Sequence, residues 1–300
     1  MPGITGAREK SVTNCNRSAG TALPGADDDR LLSQRWWLLV IVAGVLLLMG
    51  FYTVTDPARL SSSHLLQGAD YAGYAICHRI TERSFTIAGR QLPLCARCTG
   101  IYLGISLTFL VLLMAGRARR TALPPLRQLL VLGGFLALMG VDGLNSYSHF
   151  FPQAPHLYEP RNWLRLTTGA GAGLTMGLIT FPALAQTLWH HQIWQGVVTS
   201  WRELAGLVGL IFLLVLLVLS NQPALLYVLG IVSAAGVLLI LTAINAILLL
   251  IALRKDGRAA RWQEAAVPLT VGLSLALLEI GAVGVVRFQL TGTLTGFPGL

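Results

Sequence analysis

The sequence contains few charged residues. Only 12% of its 300 residues are Asp, Glu, Lys or Arg, whereas 54% are hydrophobic, and the mean hydropathy is +0.65. Soluble domains carry about 25% charged and about 45–50% apolar residues. The composition therefore excludes an ordinary soluble domain and indicates an integral membrane protein whose principal partner is the lipid bilayer.

Several other features are also missing. Four cysteines are too few for a disulfide scaffold, and no glycine-rich phosphate-binding motif is present. The first apolar run has no A-x-A-like cleavage site after it, so we expect it to stay in the membrane rather than act as a signal peptide. The net charge of +9 comes mostly from basic residues beside apolar runs, which argues against nucleic-acid binding.

The apolar runs define the fold class. A helix needs about 20 residues to cross the hydrocarbon region, and seven runs approach or exceed that length. They lie at about 36–54, 98–115, 126–144, 164–188, 204–220, 225–253 and 266–290. We therefore predict an all-α, polytopic transmembrane helix bundle of about seven spans. In the fourth span Gly169, Gly173 and Gly177 recur every four residues, which predicts close packing against another helix.

The chain divides into four predicted regions. The polar N-terminal stretch lacks hydrophobic periodicity and is typical of a disordered cytoplasmic tail. Apolar residues recur at every fourth position from Trp189 to Trp201, which predicts a short interfacial helix. The regions are the tail at 1–33, a four-span core with the cysteine loop at 34–188, the interfacial helix at 189–202 and three further transmembrane helices at 203–300.

The basic residues predict the orientation. Fourteen of the 22 Lys and Arg residues fall on one side if the N-terminus is cytoplasmic, and eight on the other. Cytoplasmic segments are enriched in Lys and Arg, so we expect the N-terminus inside and the C-terminus outside. The cluster of Arg117, Arg119 and Arg120 in a short loop supports this orientation. Five arginines in the first outer loop oppose it, unless they are held by folding onto a site.

Three of the four cysteines, Cys77, Cys95 and Cys98, lie close together in the sequence. Pro93 is suited to the first turn of a helix, so the second span should begin near it. Cys95 and Cys98 then share one face at the helix start, where the helix dipole lowers thiol pKa values. The loop containing Gly89 can return Cys77 to the same membrane surface.

This spacing is compatible with three kinds of chemistry. Cys77, Cys95 and Cys98, with either His78 or a group from outside the chain as the fourth ligand, form a ligand set of the kind that zinc takes. Alternatively, Cys77 forms a structural disulfide with one of the other two cysteines. A third possibility is a redox pair in which Cys95 attacks and Cys98 resolves, although no second cysteine pair is present to relay electrons.

Polar residues gather at the same predicted membrane surface. Asp142 lies at the outer end of the third span, where the helix dipole disfavours its charge, so it needs a cation such as Arg97 or Arg165. We expect these residues to form a pocket mouth with Tyr102, Asn145 and Asn162, where they support the ligands of a metal or clamp a substrate. An ion pair that only locks two helices is the structural alternative.

Glu279 lies well inside the seventh predicted span. A carboxylate within the membrane costs about 2.5 kcal/mol or more on insertion scales, so it must be protonated, paired or facing a polar cavity. Asn245 in the sixth span is a candidate hydrogen-bond partner.

The cysteine region resembles a known prokaryotic membrane-protein family, domain of unknown function 2085, over residues 70–180. The matching motifs are Cys77-His78, Arg83-Ser84-Phe85, Gly89, the run from Leu92 to Tyr102, Asp142-Gly143, Asn162, Arg165 and Thr168-Gly169. Asn145 stands where that family usually has Gln. The resemblance implies a prokaryotic cytoplasmic membrane and argues against an accidental occurrence of the cysteines, and it implies no particular activity.

These observations lead to one functional hypothesis and two alternatives. The first is a Cys/His metal site at the extracytoplasmic mouth of a polar pocket, with zinc as the first candidate metal. The second is a membrane thiol-disulfide oxidoreductase that uses Cys95 and Cys98. The third is a transporter or anionic-headgroup binder in which the arginines hold the anion, Glu279 is a proton site and the cysteines are structural. The small-molecule or lipid ligand is left open.

Overall fold

A computed structural model of the chain describes residues 57–149, 151 and 157–293, together with Ile41, Gly44 and Val45. The chain divides into two units, 1–44 and 45–300, and every element named below belongs to the second. The predicted tail at 1–33 lies outside the described residues. So does most of the first predicted span at 36–54, in which Ile41, Gly44 and Val45 are helical.

Six helices are long and apolar enough to cross a membrane, which confirms the multi-pass all-α class. They match the six predicted spans that fall within the described residues. They are α3 (Ala96–Met114), α4 (Leu126–Ser148), α5 (Asn162–Leu188), α6 (Trp201–Leu219), α7 (Pro223–Ala252) and α8 (Trp262–Thr291).

Shorter elements precede α3. Two helices, α1 (Pro57–Ser61) and α2 (His64–Ile76), lead to a 3-10 turn (Thr81–Arg83) and an antiparallel hairpin of β1 (Thr86–Ile87) and β2 (Arg90–Gln91). The hairpin turn has positive φ angles at Ala88 (48°) and Gly89 (81°). Glycine accepts this conformation without strain, so the turn sends the chain back toward α3, as the sequence predicts.

The predicted interfacial helix at 189–202 is wrong. A strand, β4 (Ile193–Gly196), pairs in parallel with β3 (Arg120–Ala122) within this segment. The N–H groups of Ile193 and Val197 donate to Arg119 O and Ala122 O, so they are unavailable to a helix. The fourfold spacing also does not define one face, because Trp189 and Val197 are buried whereas Ile193 and Trp201 are exposed.

The centre of the bundle is a parallel contact between α3 and α5. A Cβ at Gly100 would clash with Leu166 O, and a Cβ at Gly169 would clash with Arg97 O. One turn further along, a Cβ at Gly173 would clash with Ile101 O. The two backbones therefore touch directly, and the predicted close packing of the glycine-rich span is present.

The remaining helices surround this pair. Helices α4, α7 and α6 all pack on α5, and α7 also packs on α3, where a Cβ at Gly236 would lie 2.6 Å from Tyr102 O. Helix α8 packs along α7, where a Cβ at Gly272 would lie 2.7 Å from Thr242 O, and most of its other side chains are exposed. Since α3 and α5 are parallel, both begin at one end of the bundle, which we call the cysteine end.

We predict that Gly173→Ala lowers the free energy of unfolding by about 1–3 kcal/mol, because the added methyl group must push the two backbones apart. Gly134→Ala in α4 is the matched control, since a Cβ there has no neighbour within 4 Å. The thermal midpoint in detergent measures both. Equal midpoints for the two variants would show that the backbone contact does not limit stability.

The orientation can be tested by labelling introduced cysteines with a membrane-impermeant thiol reagent in intact cells. Ser62 lies between α1 and α2, and Gln195 lies in β4, and both side chains are exposed. In a Cys15→Ser parent we expect Ser62→Cys to add label and Gln195→Cys to add none. The opposite pattern would place the cysteine end in the cytoplasm.

Candidate metal site

The three cysteines meet at the cysteine end. Cys77 follows the last residue of α2, Cys95 is the N-cap of α3, and Cys98 lies in its first turn. Their sulfur atoms all lie within 4.8 Å of one another, and all three are free thiols. Cys77 (2% exposed) and Cys95 (3%) are buried, whereas Cys98 is half-buried. The three cysteines therefore lie together, as predicted from the helix start at Pro93 and the loop containing Gly89.

Cys77 is fixed by contacts on two sides. Helix α2 lies against the chain just before α3, so closely that a Cβ at Gly73 would clash with Pro93 O. The Cys95 N–H donates to Cys77 Sγ at 3.3 Å. From α8, Arg287 donates to Cys77 O at 2.6 Å and also to Tyr74 O. The helices that pack around α2 thus hold the Cys77 sulfur beside the other two.

Hydrogen bonds stabilise the thiolate form of Cys77. The neighbouring Cys95 and Cys98 side chains, together with the backbone N–H groups of Arg79 and Cys95, hold the pKa of Cys77 far below the usual value for a thiol. Tetrahedral zinc has Zn–S distances of about 2.3 Å, which places its sulfur ligands about 3.8 Å apart. Sulfurs within 4.8 Å reach that spacing after small side-chain movements, so the donor set fits such an ion.

His78 does not belong to this compact group. Within the described part of the chain, the donor atoms that cluster here are the three cysteine sulfurs. Burial lowers the pKa of His78, and the positive charges of Arg83, Arg97 and Arg165 lower it further, while the charge of Cys77 opposes them. Burial therefore favours the neutral imidazole, which is the form that binds metals.

Asp142 in α4 is fully buried and binds Arg97, one of its two predicted partners. Arg97 donates to Asp142 Oδ2 through Nε (3.1 Å) and Nη2, and Nη2 also donates to Ser146 Oγ at 3.0 Å. The Tyr158 hydroxyl donates to Asp142 Oδ1 at 3.0 Å. Burial and this hydrogen bond to Asp142 raise the pKa of Tyr158. Both carboxylate oxygens are therefore satisfied in a buried ion pair between α3 and α4.

The other predicted pocket residues make structural contacts. Asn145 Oδ1 accepts from Leu157 N at 2.8 Å, and its amide donates to Tyr158 O at 2.8 Å. Asn162 donates to Glu82 O at 3.1 Å and so ties the start of α5 to the 3-10 turn. The two asparagines thus hold the loops that border the site.

Two further predicted residues lie beside these. Arg165 is 6% exposed and donates to Asn162 Oδ1 (3.1 Å) and Ser146 Oγ (3.4 Å). Tyr102 packs in the apolar cluster formed by Cys77, Cys95 and their neighbours. The structure therefore brings both to the cysteine end, and Arg165 does not form the ion pair with Asp142.

Two residues of this network, Ser146 and Tyr158, are not among the residues predicted from the sequence. Ser146 accepts hydrogen bonds from both Arg97 and Arg165. It lies four residues after Asp142, so the i, i+4 geometry of a helix could have indicated it. Tyr158 reaches Asp142 from a loop, and no periodic signal in the sequence marks such a contact.

Glu279 lies on an exposed side of α8. Asn245 donates to Glu279 Oε2 at 3.1 Å, as predicted from their positions in neighbouring spans. The pair links α7 and α8 and shares no hydrogen bond with the three cysteines.

The fold and site together define a multi-pass membrane protein with a buried thiol cluster, and comparison with known proteins gives its family. Residues 77–179 match the family described as predicted membrane protein (DUF2085). The chain is 37% identical over 105 residues to an uncharacterized protein of Methanothermobacter thermautotrophicus, covering 35% of this chain and 84% of that one. It is 32% identical over 120 residues to the uncharacterized protein MJ1492 of Methanocaldococcus jannaschii, covering 40% and 70%.

The chain therefore belongs to this family, which confirms the resemblance seen in the sequence. The matched segment begins at Cys77 and ends within α5, so it contains all three cysteines, Asp142 and Arg165 and excludes α6, α7 and α8. No solved structure matches the chain.

We predict that Arg97→Gln lowers the free energy of unfolding by about 3–5 kcal/mol, because it leaves the Asp142 carboxylate buried without its cation. Adding Asp142→Asn to this variant removes the orphaned charge and should recover part of the loss. Arg161→Gln, at an exposed position before α5, is the control and should have little effect. A double variant no more stable than Arg97→Gln would count against the ion pair.

Proposed function

We propose that this protein binds a soft metal ion through Cys77, Cys95 and Cys98, and that zinc is the first candidate for this ion. The observation that supports the proposal is that three sulfur atoms, two of them buried, lie within 4.8 Å of one another at the junction of α2 and α3. Thiolate ligands select zinc and other soft ions over magnesium and calcium. The family match begins at the first of these cysteines.

Three protein ligands leave one position of a tetrahedral zinc ion open. Structural zinc sites are closed by four protein ligands, whereas catalytic sites keep one position for water or substrate. We infer the open form, since His78 is adjacent in sequence but is not part of the compact donor group. Rotation of His78 into the fourth position would instead make the site structural.

The ion pair between Arg97 and Asp142 would hold the ligand-bearing first turn of α3 in place. Arg97 lies between Cys95 and Cys98 in the first turn of α3, and its side chain is tied to α4 by the buried carboxylate. This contact restricts the turn that carries two of the three ligands. Groups that orient metal ligands in this way commonly change metal affinity 10–100-fold when they are removed.

The positive-inside distribution favours an extracytoplasmic location of the site in a prokaryotic cytoplasmic membrane. The relatives reported above are archaeal. On that side of the membrane free thiols are exposed to oxidation, and burial together with a bound metal ion would protect them.

A thiol-disulfide oxidoreductase is the second candidate. The observation that favours it is that Cys95 and Cys98 lie at the start of α3 with the Cys77 sulfur within 4.8 Å, because disulfide exchange needs thiols that can reach one another. The two candidates predict different resting states of the same three sulfur atoms, which are metal-bound thiolates in one and a disulfide with a free thiol in the other.

Elemental analysis of the detergent-purified full chain tests the proposal. We expect about one zinc ion per chain in the wild type, and its loss in Cys77→Ser and Cys98→Ser, because two sulfur ligands hold zinc far more weakly than three. Cys15→Ser is the matched control, since this cysteine lies outside the described residues and is predicted to be cytoplasmic.

A free-thiol count on the same samples separates the two candidates. With a metal site, the three thiols should resist modification until a chelator removes the ion. Metal-free wild-type protein that contains a disulfide among these cysteines would contradict the metal proposal and support the oxidoreductase.

A further inference from the structure

A cavity of about 220 Å³ lies along α2. Four of its lining residues recur every three or four positions and so share one face of the helix, and the fifth follows the helix end. They are Gln67, Asp70, Tyr71, Tyr74 and Arg79. Drug-sized ligands occupy cavities of about 300–1,000 Å³. This smaller cavity therefore suits a small molecule or the polar end of a larger one.

Two arginines share one carboxylate at this cavity. Arg79 Nη2 donates to Asp70 Oδ1 at 2.9 Å, and Arg90 Nη2 donates to Asp70 Oδ2 at 2.6 Å. Within the part of the chain that the structure describes, neither arginine forms an ion pair with another carboxylate. The three side chains are only 11–25% exposed. The network therefore carries one positive charge in excess, which favours an anion with a single negative charge.

Arg79 combines a strained backbone with an unused side-chain donor. Its φ angle is 51°, in the left-handed region that residues with a side chain rarely adopt. Its Nε atom is buried and has no hydrogen-bond partner among the described residues. Strained backbone conformations cluster at ligand sites, and a buried donor without an acceptor is costly. Both observations favour an acceptor that a ligand supplies.

Two tyrosines complete the cavity wall. The Tyr74 hydroxyl donates to Thr293 O at 2.7 Å, and the Arg287 guanidinium lies 4.4 Å from the centre of the Tyr74 ring. These contacts fix Tyr74 in place. Tyr71 is 63% exposed, so its side chain is accessible to a ligand that enters the cavity.

We propose that Arg79 and Tyr71 bind the carboxylate of an organic acid in this cavity. A carboxylate carries one negative charge, which matches the excess charge of the network, and its two oxygens suit the paired donors of a guanidinium group. Asp70 would repel a second negative charge, which favours a carboxylate over a phosphate dianion. None of the three cysteines lines this cavity, so the site goes beyond the metal proposal and does not depend on it. The carboxylate belongs either to a soluble acid or to a fatty acid.

Thermal unfolding of the full chain in a maltoside detergent and chloride buffer tests the proposal. Benzoate should raise the unfolding midpoint more than benzamide does at equal concentration, because a ligand that binds only the folded state stabilises it. Phosphate at equal ionic strength should also have a smaller effect than benzoate. In a second arm, decanoate is compared with decanol at equal mole fraction in mixed micelles. Stabilisation by benzoate identifies a soluble acid, and stabilisation by decanoate alone identifies a fatty acid.

Variants assign the effect to the cavity. Arg79→Gln should weaken the apparent affinity for the effective acid by about tenfold or more, because it removes the charged donor, and Arg79→Lys should restore part of it. Tyr71→Phe removes one hydroxyl from an exposed side chain and should weaken the affinity by about threefold or more. Tyr147→Phe is the matched control, because Tyr147 is 62% exposed in α4 and does not line the cavity.

The proposal is overturned if neither acid stabilises the wild type, if benzamide and decanol act as well as the acids, or if phosphate acts as well as benzoate. It is also overturned if either Arg79→Gln or Tyr71→Phe binds the acid as the wild type does. If Arg79→Gln does not fold, the comparison of Tyr71→Phe with Tyr147→Phe decides alone. Zinc content does not enter these measurements, so their failure would leave the metal proposal unchanged.

Discussion

The backbone contact between α3 and α5 is the constraint on which the rest of the structure depends. Gly100, Gly169 and Gly173 remove the side chains that would separate the two helices, and the parallel packing then sets both helix starts side by side. One start carries two cysteines and Arg97, and the other carries Arg165. Without this contact Arg165 would not lie beside Arg97 and the two cysteines of α3.

A different kind of interaction attaches α4. Its contact with α3 at the cysteine end is the ion pair between Arg97 and the buried carboxylate of Asp142. The Tyr158 hydroxyl, from the loop after α4, donates a hydrogen bond to the second carboxylate oxygen. The backbone contact at the glycines is disrupted by almost any added side-chain atom, because the two helices are closely packed. The buried ion pair is disrupted when one of its two charges is removed. Close backbone packing thus fixes α3 against α5, and a buried ion pair fixes α3 against α4.

The sequence predicts most of this fold because apolar length and helix start signals are local. Pro93 and Gly89 are enough to bring Cys77 toward Cys95, since each acts on its own turn. The choice of Arg97 over Arg165 as the partner of Asp142, and the contribution of Tyr158, depend on helix rotation and loop path, which no local pattern encodes. The strand β4 was missed for the same reason, because its hydrogen-bond partners lie in β3, about 70 residues earlier.

Arg287 links the cysteine end to a helix that lies outside the family match. It reaches from α8 to the Cys77 carbonyl, and most of the side chains of α8 are exposed on the bundle surface. The position of the Cys77 backbone therefore depends on a helix that the family match does not include, and a substitution in α8 can disturb the thiol cluster without replacing any sulfur atom.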